Sequence, residues 1–328
     1  MFDALLIKAN NRIISIREYL SWFDVIDSDT VYYNKLQRSM LAEEKIFRHC
    51  AVIGQLYSLY ENFSEDLLAA WLNRLSKYYK HDELSLKFQA RYRRGISKIL
   101  ADINKNKHRK IDLEKVVDRY LGAIRNDINW EIIPEAITSH ENNLRSSELA
   151  EMFKSSNIEN VLGMIDEDVN IRSYLSLGLA ENPLASKVLD NFVQYRNDAT
   201  HGDPENILGV SALYSWVEFI YLLNQALYYI ITVNIIKENI RTSPHIVIGE
   251  IIKLYSNNIS IVKMCSGSIE VQKKYYIVKN NKYNILDVLS IQIEGIDTKK
   301  VSFSGKEIDI GIKTSNEVVN GSLLVSMP

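Results

Sequence analysis

Before position 242, apolar residues recur mostly at helical spacing, as in Leu5, Leu6, Ile13, Ile14, Ile16 and Leu20, while Gly and Pro are scarce. The pattern predicts a helical domain over 1–242. A long second helix is expected from about Ser39 to Ser76, where Ile46, Val52, Ile53, Leu56, Leu59, Tyr60 and Phe63 share one broad face. Further helices are expected at 85–104 and 111–124. The segment 126–180 reads as irregular, with short helical pieces such as 146–155, so that about 77–180 forms an elaboration beside the bundle. Two strong helices, about 184–200 and 207–239, close the domain. Between them lies His-Gly-Asp-Pro, in which Gly202 and Pro204 mark one helix ending and another beginning.

After Thr242-Ser243-Pro244 the period changes. Seven short β-rich runs follow, HIVIGEIIKLY, ISIVKMC, KKYYIVK, NILDVLSIQIEG, KKVSFSG, EIDIGIK and GSLLVSM, each bounded by Asn, Gly or Ser. They predict a small all-β barrel or sandwich over 243–328. The expected fold class is therefore α+β and multidomain, a helical bundle followed by a small β domain.

Composition refines this picture. With 328 residues and 46% apolar content the chain can bury a sizeable core, and two domains are the natural division. The first residues, MFDALLIKANNR, carry an acid at position 3 and neither a basic start nor a small-residue cleavage site, which predicts a cytoplasmic protein without a secretory signal. The stretch Val210 to Ile236 is long enough to span a bilayer. Glu218, Asn224, Gln225 and Asn234 interrupt it, so it reads as the core helix of a bundle, and no membrane partner is expected. Cys50 and Cys265 are far apart, without CxxC or Cys/His ligand spacing. Both are expected to be buried, inert thiols, and no metal or cofactor is expected.

The net charge of −2 gives no global preference for nucleic acid. Locally, Arg74 to Arg125 holds 15 Lys and Arg against 6 Asp and Glu. Arg91, Arg93, Arg94, Lys107, Arg109 and Lys110, with Tyr78, Tyr79 and Tyr92 interleaved, could hold RNA phosphates while rings stack on bases. The other reading of that stretch is a pair of solvated helix faces.

The chemistry-bearing candidate is the end of the helix at 184–200. Val188, Leu189, Phe192, Val193 and Tyr195 are packing residues, and then Arg196-Asn197-Asp198-Ala199-Thr200 breaks the apolar period before His201-Gly202. RNA cleavage by the 2′-hydroxyl needs a group that moves protons and a fixed positive charge for the crowded phosphorane. His201 and Arg196 can fill those roles, and a histidine at a helix C-terminus is favoured in its charged form by the peptide dipole. Spacing alone leaves a second reading open, a helix end in which Arg, Asn, Asp and Thr only cap and turn the chain. Arg74 and His81 meet a looser spacing but sit in a basic run expected to be solvated. His49, His108, His140 and His245 have no matching partners in the sequence.

The segment FVQYRNDATHG resembles the signature of the HEPN superfamily, in which an Arg, a following polar residue and a His four to six positions later terminate a helix. Arg196, Asn197 and His201 match it position by position. LYSLYENFSEDLLAAWL resembles the second-helix pattern of stand-alone HEPN toxins and defence nucleases, with Tyr60, Glu61 and Phe63 as its aromatic-Glu-aromatic set. The resemblance covers helices near 1–75 and 184–239 and says little about 77–180. It implies metal-independent endoribonuclease activity on RNA, in a toxin–antitoxin or antiviral defence setting with a neutralising protein, and a homodimer whose two motifs meet in one composite site. Asn197 would orient the imidazole or a phosphate oxygen; Glu61 would act directly or pair with Arg196. Dimerisation fits the geometry, because residues five apart lie about 140° apart around an α-helix and would not face one phosphate from a regular helix. A catalytically silent HEPN scaffold that binds RNA or protein is the alternative.

The tail resembles the second-domain barrel of translation factors through Ile248-Gly249-Glu250-Ile251, Ser290-Ile291-Gln292-Ile293, Val301, Gly305 and the run from Ile308 to Ile312 that ends near Gly321. It departs from that pattern where the usual Gly-Asp before a central strand is Gln272-Lys273. The likeness implies contact with the translation apparatus, with dimerisation or antitoxin docking as equal readings. No GxxxxGK[ST] phosphate loop is present, which removes a GTPase reading.

Overall fold

The computed structural model describes residues 2–28, 38–102, 112–178, 183–200, 206–243, 246–280 and 282–326. The chain divides into two compact units, Met1–Ile231 and Thr232–Pro328. Among the described residues there are ten α-helices before position 243: α1 Asp3–Ser28, α2 Arg38–Tyr78, α3 Leu86–Ala101, α4 Leu113–Arg125, α5 Glu135–Thr138, α6 Ser146–Lys154, α7 Val161–Asp166, α8 Val169–Gly178, α9 Ala185–Thr200 and α10 Val210–Thr242. The long periodic segments fold as the apolar spacing predicts.

Helix α2 is the spine of the first unit. Its inner face buries Val52, Ile53, Leu56, Tyr57, Tyr60, Phe63, Leu67, Leu68, Trp71, Leu72 and Leu75, spaced so that one stripe stays out of water along the whole helix. Three of its aromatic residues also bring a polar group to the segment around α6. Tyr60 Oη donates to the Leu144 carbonyl at 3.1 Å and Trp71 Nε1 to the Ser156 carbonyl at 2.7 Å. Tyr57 Oη accepts from the Leu144 backbone N–H at 2.9 Å. The segment between α5 and α7 is thus fastened to α2 by two donors and one acceptor that satisfy its backbone, which is how a stretch with little periodicity acquires a fixed place.

Helix α5 lies against α3 at very close range. A Cβ placed on Gly95 would sit 1.8 Å from the Ala136 carbonyl oxygen, so only glycine allows this crossing. Arg91 Nε donates to the Ile137 carbonyl at 2.9 Å, and Tyr92 Oη accepts from the Ile133 N–H at 3.2 Å.

Helix α10 is long and apolar enough to cross a bilayer, yet most of its most apolar stretch is buried within the protein. Its polar positions have partners inside the first unit: Glu218 pairs with Arg17, and Gln225 Nε2 donates to Asn10 Oδ1 at 2.9 Å. Asn224 is fully buried, with neither side-chain amide atom partnered among the described residues.

In the second unit, six antiparallel strands close into a barrel in the order β4-β9-β1-β2-β8-β5, with β5 returning to β4. They are β1 Val247–Ser256, β2 Ile259–Met264, β4 Lys274–Lys279, β5 Lys282–Ile293, β8 Ile308–Thr314 and β9 Leu323–Ser326. Short strand β6, Ile296–Thr298, extends β5, while β3, Ser268–Glu270, pairs with β7, Lys300–Ser302. Ile251, Val262, Met264, Leu286, Val288, Ile291, Ile310, Ile312 and Leu324 fill the interior. Val233 and Ile236, from the part of α10 that belongs to this unit, pack on Tyr276, Tyr283 and Val325. Gly249 lets β1 approach β2, since a Cβ there would meet the Lys263 carbonyl oxygen at 2.3 Å. Gln272 takes a left-handed backbone with φ of 65°, at the place where the sequence pattern leads one to expect glycine. Cys265 is exposed, contrary to the expectation of a buried thiol, and Cys50 is half-buried; neither is in a disulfide.

Candidate active site

The site is assembled from α2, α9 and the loop before α6. In α9, Phe192 packs between Trp216 of α10, at 5.4 Å between ring centres, and Tyr57 of α2, at 6.5 Å. Arg196 follows one helical turn later on the same face. Its guanidinium therefore lands over the Tyr57 ring, 4.6 Å from the centroid, in a cation–π contact that orders the charge. Arg196 Nη1 also donates to Asn197 Oδ1 at 3.3 Å, and Asn143 Nδ2 donates to the same oxygen at 2.6 Å. The Asn197 side chain is thereby fixed from two sides. The remaining polar residues close the turn locally: Thr200 Oγ1 donates to the Arg196 carbonyl at 2.7 Å and Gln194 Nε2 to Asp198 Oδ1 at 2.9 Å. His201 lies outside the described residues.

Glu61 enters from α2. Its Oε1 accepts from Tyr57 Oη at 2.7 Å, so the tyrosine that carries the guanidinium on its face also holds the carboxylate at its edge. No ion pair joins Glu61 to Arg196 among the described residues. Burial, first of all, pushes the Tyr57 phenol far above its ordinary value, with Glu61 adding to the shift, so this hydroxyl stays a donor. Tyr60 and Phe63, the other members of the α2 pattern, are buried packing residues.

Beside Glu61 stands a histidine that has no sequence neighbour to advertise it. His140 Nε2 is 3.1 Å from Glu65 Oε1 and 3.8 Å from Glu61 Oε1, while its Nδ1 lies 2.6 Å from the Asn142 carbonyl. The Nε2 contacts are ion pairs without hydrogen-bond alignment. Glu65 in the first place, with Asn142 and Glu61, raises the imidazole above its ordinary range against the opposing effect of burial. The same loop reaches α9 a second time, where Asp190 caps α6 by accepting from Ser146 N and Ser146 Oγ, both at 2.8 Å. Tyr57, His140 and Asn143 were not among the site candidates drawn from sequence. Their signal was weak, because HENNL at 140–144 has no period and its partners lie more than fifty positions away.

Other candidates go elsewhere. Arg91 is tied into the fold by Ile137 and by Glu148 at 3.6 Å, whereas Arg93 and Arg94 are exposed. Lys107, Arg109 and Lys110 lie outside the described residues, as do His108 and His245. His81 is not solvated: its ring sits among Phe88, Tyr92 and Trp130, with burial lowering its pKa. Arg74 instead lies over Phe2. His49 is fully buried, its Nδ1 accepting from the Leu208 N–H at 3.2 Å, and burial lowers its pKa as well.

Taken together, a guanidinium, an amide, a carboxylate and an imidazole converge where α9 ends against α2. Comparison with curated proteins and with solved structures returns no match. A family described as MAE_28990-like HEPN matches residues 1–240, a span that contains α1 to α9, the site and nearly all of α10. The chain belongs to that HEPN family.

Proposed function

We propose that the protein is an endoribonuclease that cleaves RNA without a metal ion and serves as the toxic component of a toxin–antitoxin or antiphage defence system in the cytoplasm. Its family points to a nuclease or RNA-related role. The observation that carries the finer reading is Arg196 seated on Tyr57 at the last turn before His201, with Asn197 and Glu61 held beside it. In this reading the RNA 2′-oxygen bonds to phosphorus and loses its proton. The bond from phosphorus to the 5′-oxygen breaks, and that oxygen takes up a proton. A 2′,3′-cyclic phosphate and a 5′-hydroxyl remain. Arg196 offsets the charge that builds on the phosphorane, His201 carries a proton, and Asn197 orients the motif.

A regular helix does not turn Arg196 and His201 to one phosphate, so two copies supply the site together as a homodimer. Helix α1 leaves Ile7, Ile14 and Trp22 exposed along its length, an apolar face suited to self-association. The barrel brings the nuclease to the translation apparatus or to a neutralising protein.

Digestion of RNA in excess EDTA tests the assignment. Arg196→Ala and His201→Ala are expected to lose on the order of 10²–10⁴-fold in rate while keeping the helical circular dichroism signal. Cleavage by both variants at the wild-type rate would remove the assignment. RNA retained without strand scission by the wild type would identify a scaffold instead.

A further inference from the structure

We propose that His140 is a positioning residue for Glu61, holding that carboxylate on the Tyr57 hydroxyl that carries Arg196 so that Glu61 accepts the proton of the attacking 2′-hydroxyl. The proposal rests on the endoribonuclease reading above.

Glu61 and Glu65 are one turn apart on α2, and two carboxylates at that spacing repel each other. His140 is placed against both, with Nε2 at 3.1 Å from one and 3.8 Å from the other. Its tautomer is set from the other side. The Asn142 carbonyl 2.6 Å from Nδ1 requires a proton there, and a neutral ring would then turn a bare Nε2 lone pair toward two anions. The imidazolium removes that conflict and carries charge of the sign the pair lacks.

Exposure assigns the division of labour. The His140 side chain is 7% exposed, against 29% for Glu61 and 37% for Glu65, so the imidazole sits behind carboxylates that solvent and substrate reach. Glu61 is gripped a second time by Tyr57 Oη, on the ring that carries Arg196. The groups facing His140 are Glu61 and Glu65 from α2; from α9, Arg196 reaches the cluster by way of Tyr57. The neighbouring Glu141 is paired with Lys98 of α3 at 2.5 Å. The three acidic and imidazole groups do not converge on a common metal position. In the reaction the 2′-oxygen forms its bond to phosphorus as its proton passes to Glu61. The departing 5′-oxygen keeps the electron pair of the broken bond and is protonated by the donor assigned to His201. Glu61 then returns its proton to water.

The test is RNA cleavage by the full-length chain in excess EDTA, with kcat and KM measured separately, for wild type, Glu61→Gln, His140→Gln, His140→Lys, the Glu61→Gln/His140→Gln double variant and Arg196→Ala. Loss of the cation is expected to lower kcat about tenfold in His140→Gln and leave KM unchanged, and His140→Lys, which restores a positive charge, is expected to recover most of that loss. Glu61→Gln is expected to lose at least about 100-fold, and the double variant to lose no more than Glu61→Gln alone. A loss of about tenfold from His140→Gln that persists in the Glu61→Gln background would mark a merely structural residue and overturn the proposal, as would His140→Lys as slow as Glu61→Gln should His140→Gln not fold. No cleavage by wild type, or cleavage indifferent to Arg196→Ala, withdraws the endoribonuclease reading and this proposal with it. Arg196-dependent cleavage with His140→Gln at the wild-type rate overturns this proposal alone.

Discussion

Three histidines in the helical unit show how surroundings, not residue type, set the charge. His49 and His81 are held neutral by burial, and their ring nitrogens face backbone or aromatic edges. His140 is equally withdrawn from water but faces two carboxylates, which reverses the outcome. Stability follows with opposite signs. Because its folded pKa lies above the unfolded value of about 6.5, His140 contributes stability that is complete below that pH and is lost as pH rises through the folded value. His49 and His81, depressed in the folded state, contribute above about pH 6.5 and lose it as pH falls. The stability gap between wild type and His140→Gln in urea unfolding is therefore expected to be largest near about pH 6 and to shrink toward about pH 9. A gap that stays constant across that range would contradict the ion-pair description. In the sequence, Arg196 and Asn197 were legible because a polar break after a packed apolar run is a one-dimensional signal. His140 was not, since its meaning depends on Glu61 and Glu65, some 75–80 positions away.

At the level of elements, the site depends on a helix that supplies none of its side chains. Helix α5 is a single turn, and the His140 loop leaves from its end. Its position is fixed by Gly95, which lets the α5 backbone rest on α3. Gly95→Ala adds one methyl into backbone and is expected to destabilise the fold by about 1–3 kcal/mol despite the better helix propensity of alanine. Because α5 must move, RNA cleavage is expected to fall as well, with the urea midpoint and the digestion rate as the two measurements. An unchanged midpoint would mean that the crossing is looser than described. The long helices were readable from spacing to within a few residues at each end, and each of the seven expected β runs contains a strand. Strands β3 and β6 were missed, since three residues beside Gly267 and Gly295 are too few to establish a period of two. The segment 126–180 offered only short helical pieces, because its order comes from α2 donors such as Trp71 and Tyr60.

On the scale of the whole molecule, the proposed composite site makes a claim about pairs of chains. If one cleft draws Arg196 and His201 from two protomers, mixing inactive Arg196→Ala with inactive His201→Ala under conditions of subunit exchange generates heterodimers that keep one residue of each kind. Cleavage is then expected to reappear in the mixture while absent from either variant alone, measured on RNA in EDTA. A mixture as silent as its components, although exchange has occurred, would argue against a shared cleft.

The barrel of the second unit was legible from alternation in its strands, but its turn at Gln272 was not, because the letter there is atypical while the backbone conformation is the left-handed one that glycine favours. Gln272 N–H donates to the Val288 carbonyl at 2.8 Å, so the turn is stitched to β5 in spite of the side chain. What such a corner requires is a torsion angle. Chains carrying the same corner under other letters will pass unnoticed wherever kinship is judged by spelling, and will be grouped only when backbone shape is compared.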